Sequence, residues 1–439
     1  MNKLRFYLSL IVAKSLFMFL KLTRLSRGTA ILGLIALKIC PDFLVYSNNY
    51  FTKSRVNITG TNGKTTTSGL LTHLLTKDNK SVLNNTEGAN MLNGIINSLA
   101  LKINIGSRFD YSVIETDEAF LKKVYEKFNG DYLLVTNLFE DQTDRFETPI
   151  FTRNLIQAGI DLRENVQLIL NADEPLSASL KAKNKKPIFF GISHVFDSEG
   201  KEITNTSEIE FNCPICNKKL NYTKLQYAHI GDYFCDCGYK RPEVKYGADV
   251  TLYKDYSVIN LNNETFKIPL TGLYNAYNAL GAIAIAKELG IENIAHNIES
   301  YKVAFGRNEV RNICGHKTTL QLIKNPAGTN EVLKTVDLES NILIAVNNNV
   351  ADGTDISWIN EANFDILKDC NKQIVVTGLK AKEMADRLKK AGINNIKTIS
   401  DIKEAVSYTA QEAEGDITIM STYTALLKID KIKELKKCF

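Results

Sequence analysis

At 439 residues, with 44% hydrophobic and 23% charged side chains, the chain is long enough for roughly two to four domains and too apolar to be disordered. Its 25 glycines and 8 prolines exclude collagenous and low-complexity classes, and a net charge of +5 spread along the chain is too weak for a protein that coats nucleic acid. Eight cysteines, four of them crowded between 213 and 237, suit a reducing compartment and a metal better than a disulfide scaffold.

The first 50 residues read as a helical segment. Their apolar stretch 6–20 is interrupted by Ser9, Lys14 and Ser15, falls short of the roughly 20 residues that span a bilayer, and is followed by Lys21, Arg24 and Arg27. No small-x-small cleavage site precedes Arg24, so a core-packed or surface-lying helix is expected rather than a spanning helix or a signal peptide.

From residue 55 short β-rich runs alternate with helical patterns, which predicts a parallel sheet covered on both faces. The runs are 55–59, 111–114, 132–136, 167–170 and 187–190, with helices such as 66–75 and 120–127 between them. The aliphatic pattern gives way to Asn, Lys, Tyr and Cys at about 205–245, an inserted module, and a helix follows over 274–289. A second α/β series, with strands near 320–323, 342–346, 374–377 and 417–420, predicts a separate Rossmann-like C-terminal domain over 306–439 after a first domain over 1–305.

The chemistry starts at residues 57–67, NITGTNGKTTT, where a strand runs through a glycine turn into a helix. Gly60 and Gly63 let backbone N–H groups turn inward around phosphate oxygens, Lys64 adds a mobile positive charge, and Thr65 offers a hydroxyl to Mg2+. Ile58 stands where the full G-x-x-x-x-G-K-[ST] motif has its first glycine. In an open parallel sheet the ligand lies beyond the strands' carboxyl ends, so the acids there are candidate metal ligands: Glu115, Asp117 and Glu118 after one strand, Asp141 and Asp144 after the next, Asp173 after a third. Glu115 is the first choice for Mg2+ together with Thr65.

The stretch GTNGKTTT resembles the ATP loop of the Mur ligase family, which includes folylpolyglutamate synthetase, and LTGLYNAYNAL at 270–280 and AFGRNEV at 304–310 support the match. The resemblance implies ATP contacts from Gly60, Thr61, Asn62, Gly63, Lys64, Thr65 and Thr66, adenine approached by Asn275 and Asn278, and Arg307 serving the nucleotide at the hinge. It also implies an acyl phosphate that an amine attacks. Two departures stand out: Gln142 and Tyr274 occupy positions where amino-acid-adding members usually have His, and an ATP loop near residue 60 leaves too little chain before it for a domain that binds a uridine nucleotide. A substrate other than a soluble UDP-linked precursor is therefore expected.

Cys213 and Cys216, then Cys235 and Cys237, form two close pairs 18 residues apart, the pattern of a closed tetrahedral Zn2+ site that folds a small ribbon and is not catalytic. His229 is read as structural. The ribbon's basic residues, Lys218, Lys219, Lys224, Lys240, Arg241 and Lys245, are read as a solvated face and not as a nucleic-acid site.

Residues 351–358, ADGTDISW, resemble a signature of the MurT branch of the Mur ligases, the ligase subunits of lipid II isoglutaminyl synthases. NTEGANM at 85–91, DQTDRFE at 141–147, KNPAG at 324–328 and STYTALL at 421–427 extend the likeness over nearly the whole chain. Members of that branch are expected to carry C-x2-C where this chain has Cys235-Asp-Cys237. The resemblance implies ATP-dependent amidation of the D-glutamate α-carboxylate on lipid II, with ammonia from a GatD-type glutaminase subunit. It implies a cytoplasmic enzyme that touches the inner face of the cell membrane peripherally at most. None of Cys40, Cys314, Cys370 or Cys438 lies in a Gly-x-Cys-x-Gly elbow, so the chain shows no glutaminase of its own. By resemblance Asp355, with Asp352 in reserve, completes the partner's Cys–His pair in trans. An Asx turn around Gly353 would suit Asp352 better than Asp355. Lys324 joins Arg307 as a candidate for the charge that develops on the phosphoryl group. The alternatives are an amino-acid-adding or folylpolyglutamate synthetase-like ligase, which needs no second subunit, and a zinc-ribbon ATPase on nucleic acid, for which helicase-like motifs are missing.

Overall fold

The computed structural model describes residues 2–23, 29–85, 89–140, 148–205, 209–302 and 306–432. Gln142 with the rest of 141–147, 86–88 of NTEGANM, 304–305 of AFGRNEV, Arg24, Arg27 and Cys438 lie outside the described residues.

Strands β1 (Phe51–Thr59), β2 (Val82–Asn84), β3 (Phe109–Glu115), β4 (Tyr132–Val135), β5 (Gln167–Asn171) and β6 (Ile188–Phe196) are joined by β9 (Tyr246–Leu252), β10 (Ser257–Leu261) and β11 (Glu264–Ile268) in a nine-stranded sheet. Between β6 and β9 the chain makes a separate hairpin, β7 (Asn221–Tyr227) with β8 (Ile230–Phe234). The sheet order is β11-β10-β9-β6-β5-β4-β1-β3-β2, parallel from β2 to β9 and antiparallel at the β9-β10-β11 edge. The all-parallel expectation therefore fails at that edge. Asn262 and Asn263, both at positive φ, close a two-residue hairpin there.

Along the central strands the side chains alternate between two cores, as period-two geometry requires. Val56 and Ile58 of β1, Leu134 of β4 and Ile169 of β5 face one core, while Leu133, Val135, Leu168 and Leu170 face the other. The first core is filled by the helices Lys64–Lys77 and Leu273–Glu288. The second helix is buried on nearly every side, which is why its sequence is apolar all round.

The second sheet collects β12 (Arg307–Ile313), β13 (His316–Leu322), β14 (Asn341–Ala345), β15 (Ile374–Thr377), β16 (Ile396–Thr398) and β17 (Ile417–Ser421) in the order β12-β13-β17-β14-β15-β16. All its pairs are parallel except the β12-β13 hairpin.

The N-terminal helix runs Asn2–Thr23, longer than the apolar stretch suggested, and so reaches the length of a membrane span. It is nonetheless packed on one side: Phe6, Leu10 and Ala13 are buried in the second core.

Candidate active site

In the first sheet β1 lies between β3 and β4, so the chain leaves β1 to build on one side and returns to build on the other. That reversal opens a crevice at the carboxyl end of β1, and the glycine turn sits there. Gly60 and Gly63 both have positive φ, and a Cβ on Gly63 would run into the Asn278 amide. The turn is fastened to the end of β4: Thr61 N donates to Asn137 O at 2.8 Å, Asn62 N to Asn137 Oδ1 at 2.9 Å, and Thr136 Oγ1 to Asn62 O at 2.7 Å. The helix beginning at Lys64 has Gly63 as its N-cap with no side-chain cap, an end of the kind that suits an anion.

Thr65 Oγ1 donates to Glu115 Oε2 at 2.9 Å, bringing together the two residues expected to hold Mg2+. Two residues of the NTEGANM segment place that carboxylate. Asn85 exchanges two 2.7 Å hydrogen bonds with the Glu115 backbone, and Asn90 Nδ2 donates to Glu115 Oε1 at 3.2 Å.

Lys64 is buried, and its ammonium lies 2.8 Å from Glu118 and also donates to Gly60 O. Burial by itself pulls the ammonium's pKa down, but Glu118, Asp117 and Glu115 outweigh it and hold the group charged. Burial pushes the Glu118 carboxyl up, opposed by Lys64. Asp117 instead caps the following turn through Ala119 N.

Asn275 and Asn278, buried on the helix Leu273–Glu288, reach the same crevice. Asn278 Nδ2 donates to Asn275 Oδ1 at 3.3 Å, and Asn275 Nδ2 to Thr271 O at 2.8 Å. The opposite wall comes from the second sheet's half of the chain. Lys324 Nζ donates to Thr61 O at 3.2 Å, and Asn325 and Asn62 pair through their amides at 3.1 and 3.4 Å. Tyr227, Tyr274 and Glu331 line the cleft between them. Arg307 opens β12 directly after Gly306.

Folding gives one candidate metal ligand, Glu118, a different partner and adds two residues that the sequence did not single out, Asn325 and Glu331. Glu118 holds Lys64, Asn325 bridges to the phosphate loop, and Glu331 presents a buried carboxyl whose pKa is pushed up by desolvation, with Lys334 opposing. Asp173, a candidate oxygen ligand, is committed elsewhere. It is buried and accepts from Arg241 Nε at 2.6 Å, Ile192 N at 2.7 Å and Tyr277 OH at 2.7 Å. Arg241 is therefore not part of a solvated face, since its guanidinium ties the cysteine module to the end of β5.

The four Sγ atoms of Cys213, Cys216, Cys235 and Cys237 lie within 4.8 Å of one another, with Cys216–Cys235 at 3.5 Å and Cys213–Cys237 at 3.7 Å. A tetrahedron with metal–sulfur bonds of about 2.3 Å has edges of about 3.8 Å, so this donor set fits a closed four-thiolate ion. The backbone N–H of Lys218 leads the effects that pull the Cys216 thiol down to about 7. His229 lies outside the cluster's donor set. It stacks on Phe211 with ring centroids 4.2 Å apart and pairs with buried Glu174 at 3.1 Å.

In the ADGTD loop the two aspartates differ. Asp352 is buried and accepts from Thr424 N at 2.6 Å, Thr424 Oγ1 at 2.5 Å and Asn349 N at 3.0 Å, locking the loop to the STYTALL helix start. Asp355 is exposed and accepts from Ser357 N at 2.8 Å, an Asx turn that begins at Asp355 and lies past Gly353, while the Asp352 carboxylate goes to Thr424 and Asn349.

Comparison with known proteins agrees with this layout. The Mur ligase middle domain family matches residues 58–286, and the MurT ligase C-terminal family matches residues 322–426. The chain is 33% identical over 422 residues to the lipid II isoglutaminyl synthase (glutamine-hydrolyzing) subunit MurT of Staphylococcus aureus strain COL, covering 94% of each chain. It is 33% identical over 426 residues to the MurT subunit of Streptococcus pneumoniae, covering 94% of this chain and 93% of that one. Among solved structures it is similar in fold to a pseudomurein peptide ligase type C from Methanothermus fervidus (TM-score 0.68, 20% identity, 87% of this chain and 79% of that one). It is likewise similar to the MurF ligase of Thermotoga maritima in complex with ADP (TM-score 0.63, 16% identity, 92% and 84%). With one-third identity to MurT subunits along nearly its whole length, the chain belongs to the MurT family of the Mur ligases.

Proposed function

We propose that this chain is the ATP-consuming subunit of a lipid II isoglutaminyl synthase, which converts the D-glutamate α-carboxylate of the lipid II stem peptide into its amide. The observation that carries the reading is the convergence of Lys64, Thr65, Glu115 and Lys324 around one glycine turn at the mouth of the cleft. In this reading the chain divides into an ATP domain (1–305) and a C-terminal domain (306–439), with Gly306 at the hinge.

The turn 60–66 holds the triphosphate, Asn275 and Asn278 face the adenine, and Arg307 serves the nucleotide from the hinge. Thr65 and Glu115 hold Mg2+, which when bound neutralises phosphate charge. Lys64 exchanges Glu118 for phosphate oxygens. A carboxylate oxygen of the substrate then bonds to the γ-phosphorus as its bond to the bridging oxygen of ADP breaks; Lys324 and Arg307 offset the charge on the transferring group. Ammonia adds to the acyl carbon, phosphate leaves, and a proton is lost from nitrogen. Because acyl phosphates hydrolyse, the two walls of the cleft close over the intermediate.

Ammonia comes from a GatD-type glutaminase, and exposed Asp355 supplies the third member of that partner's Cys–His pair while buried Asp352 shapes the loop. Zn2+ on the four cysteines folds the ribbon and takes no part in the reaction, since four thiolates leave no open position.

The test supplies purified chain, ATP, Mg2+ and lipid II with ammonium or with glutamine, and reads the stem peptide by mass spectrometry. Amidation with ammonium alone, and with glutamine only after the glutaminase is added, is expected. Incorporation of a free amino acid in place of ammonia would overturn the reading in favour of an amino-acid-adding ligase.

A further inference from the structure

The N-terminal helix Asn2–Thr23 has two faces, and the described residues cover one of them. Phe6, Leu10 and Ala13 pack into the second core, and Lys14 Nζ ties the helix to Ile103 O at 2.5 Å. On the opposite side Leu4, Leu8, Ile11, Met18 and Leu22 are exposed, Leu4 to 71% and Leu22 to 79%. Their spacing of three, four or seven residues keeps them on one line for the length of the helix. Phe19 beside that line is exposed too, and the next helix, Thr29–Ile39, adds exposed Ile31. An uncovered apolar stripe of this length is not the scattered surface hydrophobicity of an ordinary domain.

Charge says what covers it. The first 41 residues contain seven lysines and arginines and no aspartate or glutamate, so the remainder of the chain is net −2 and this segment carries the excess positive charge. The overall +5 is therefore not evenly spread. Exposed Lys3 and Lys21, eighteen residues and five turns apart, flank the stripe on one side, and exposed Arg5 flanks it on the other. Apolar side chains bordered by long basic ones suit an interface in which methyl groups enter hydrocarbon while ammonium and guanidinium groups meet anionic headgroups.

We infer that the exposed stripe of the helix Asn2–Thr23 docks on an anionic lipid bilayer, lying in the interface plane. A second copy of the chain is the poorer occupant, because a two-fold pairing would set the same basic flanks against each other with no acid to answer them. Spanning is excluded by the buried face, since a helix packed against a folded domain along Phe6, Leu10 and Ala13 cannot be encircled by lipid. This goes beyond the amidation reading and does not need it: it assigns a surface, and its consequence is that the cleft works close to the membrane.

The full chain is sedimented with vesicles of phosphatidylcholine plus phosphatidylglycerol, with phosphatidylcholine vesicles, and with neither, at low and high salt, without substrate. Binding to the anionic vesicles at least tenfold tighter than to neutral ones, weakening with salt, is expected. Leu8→Gln/Ile11→Gln/Met18→Gln should lose at least tenfold of that binding, and Lys3→Glu/Arg5→Glu/Lys21→Glu should lose the preference for anionic lipid. Unchanged ADP binding certifies both variants as folded. No binding to anionic vesicles, binding that neither variant reduces, or a dimer in lipid-free buffer that the apolar variant abolishes would overturn the inference. Because no substrate is present, any of these results leaves the amidation assay to stand or fall by itself.

Discussion

Lys64 shows how a lysine in a glycine turn is kept charged when it is buried. Its ammonium is buried with three carboxylates around it and lies 2.8 Å from Glu118; in the proposed reading Glu118 holds the position that a phosphate oxygen takes. Removing one partner of such a buried pair leaves the other uncompensated, which costs about 3–5 kcal/mol. Glu118→Gln is therefore expected to lower the melting temperature of the free protein markedly, and Mg-ATP is expected to restore most of the loss by supplying the missing negative charge. An equal loss with and without nucleotide would remove Glu118 from this role. The aspartates of the 351–358 loop separate in the same manner. Asp355→Asn is expected to abolish glutamine-dependent amidation while sparing the ammonium-dependent reaction. Asp352→Asn keeps one acceptor oxygen, so it loses the bond from Thr424 N or the bond from Asn349 N, and is expected to lower stability with either nitrogen source. Glutamine-dependent turnover unaffected by Asp355→Asn would pass the assignment to Asp352. The strand, glycine turn and helix of 51–77 and the place of Glu115 beside Thr65 were legible in the sequence because strand, turn and helix are contiguous and Glu115 ends a strand. Glu331 and Asn325 were not, and Glu118 was read as a candidate metal ligand and not as the partner of Lys64, because these contacts are made by tertiary packing.

At the scale of elements, the cysteine module is a ribbon stapled to the sheet. Its four thiols lie within 4.8 Å of one another, Arg241 carries its charge to Asp173 at the end of β5, and Tyr227 of β7 forms part of the cleft wall. Elemental analysis is expected to give one zinc per chain, and stripping it by chelation should lower the melting temperature and weaken ATP binding together, since the wall that Tyr227 belongs to is lost. Replacing zinc by cadmium or cobalt should leave kcat within about twofold, because a closed four-thiolate site activates no water. A large change in kcat on metal replacement, with stability unchanged, would contradict a structural site. Arg241→Met tests the staple from the protein side and should cost about 3–5 kcal/mol, as Asp173 is left buried with its carboxylate uncompensated. That the two cysteine pairs come together in one cluster was readable from their spacing. The reading of its basic residues failed at Arg241 because burial of Asp173 cannot be seen in one dimension. The antiparallel edge β9-β10-β11 was missed although the consecutive Asn262 and Asn263 carry a hairpin signal, since the helix-and-strand alternation before it had set the expectation of a parallel sheet.

Across the whole molecule, among the described residues, polar contacts between the two halves include the ion pair Lys254–Asp337 at 3.0 Å and a cluster on the glycine turn 60–63. Lys324 reaches Thr61 O, and Asn325 pairs its amide with that of Asn62 while its Oδ1 also accepts from Gly328 N at 2.8 Å, capping the helix Pro326–Leu333. Asn325 thus has two duties that substitution can separate. Serine keeps the cap nearly as well as asparagine but is too short to return the amide pair, whereas alanine loses both. Asn325→Ser is expected to melt within about 0.5 kcal/mol of the native protein, and Asn325→Ala to lose about 1 kcal/mol more. If closure of the C-terminal half onto the loop protects the acyl phosphate, both variants should hydrolyse ATP while forming less amide, and the ratio of phosphate released to amide formed should rise severalfold in each. Coupling in Asn325→Ser that stays at the native ratio would show that the contact between the two halves plays no part in guarding the intermediate. Closure would then have to be sought around Gly306, where φ is +69° and a Cβ would run into Leu426, so that Gly306→Ala should alter kcat and KM together.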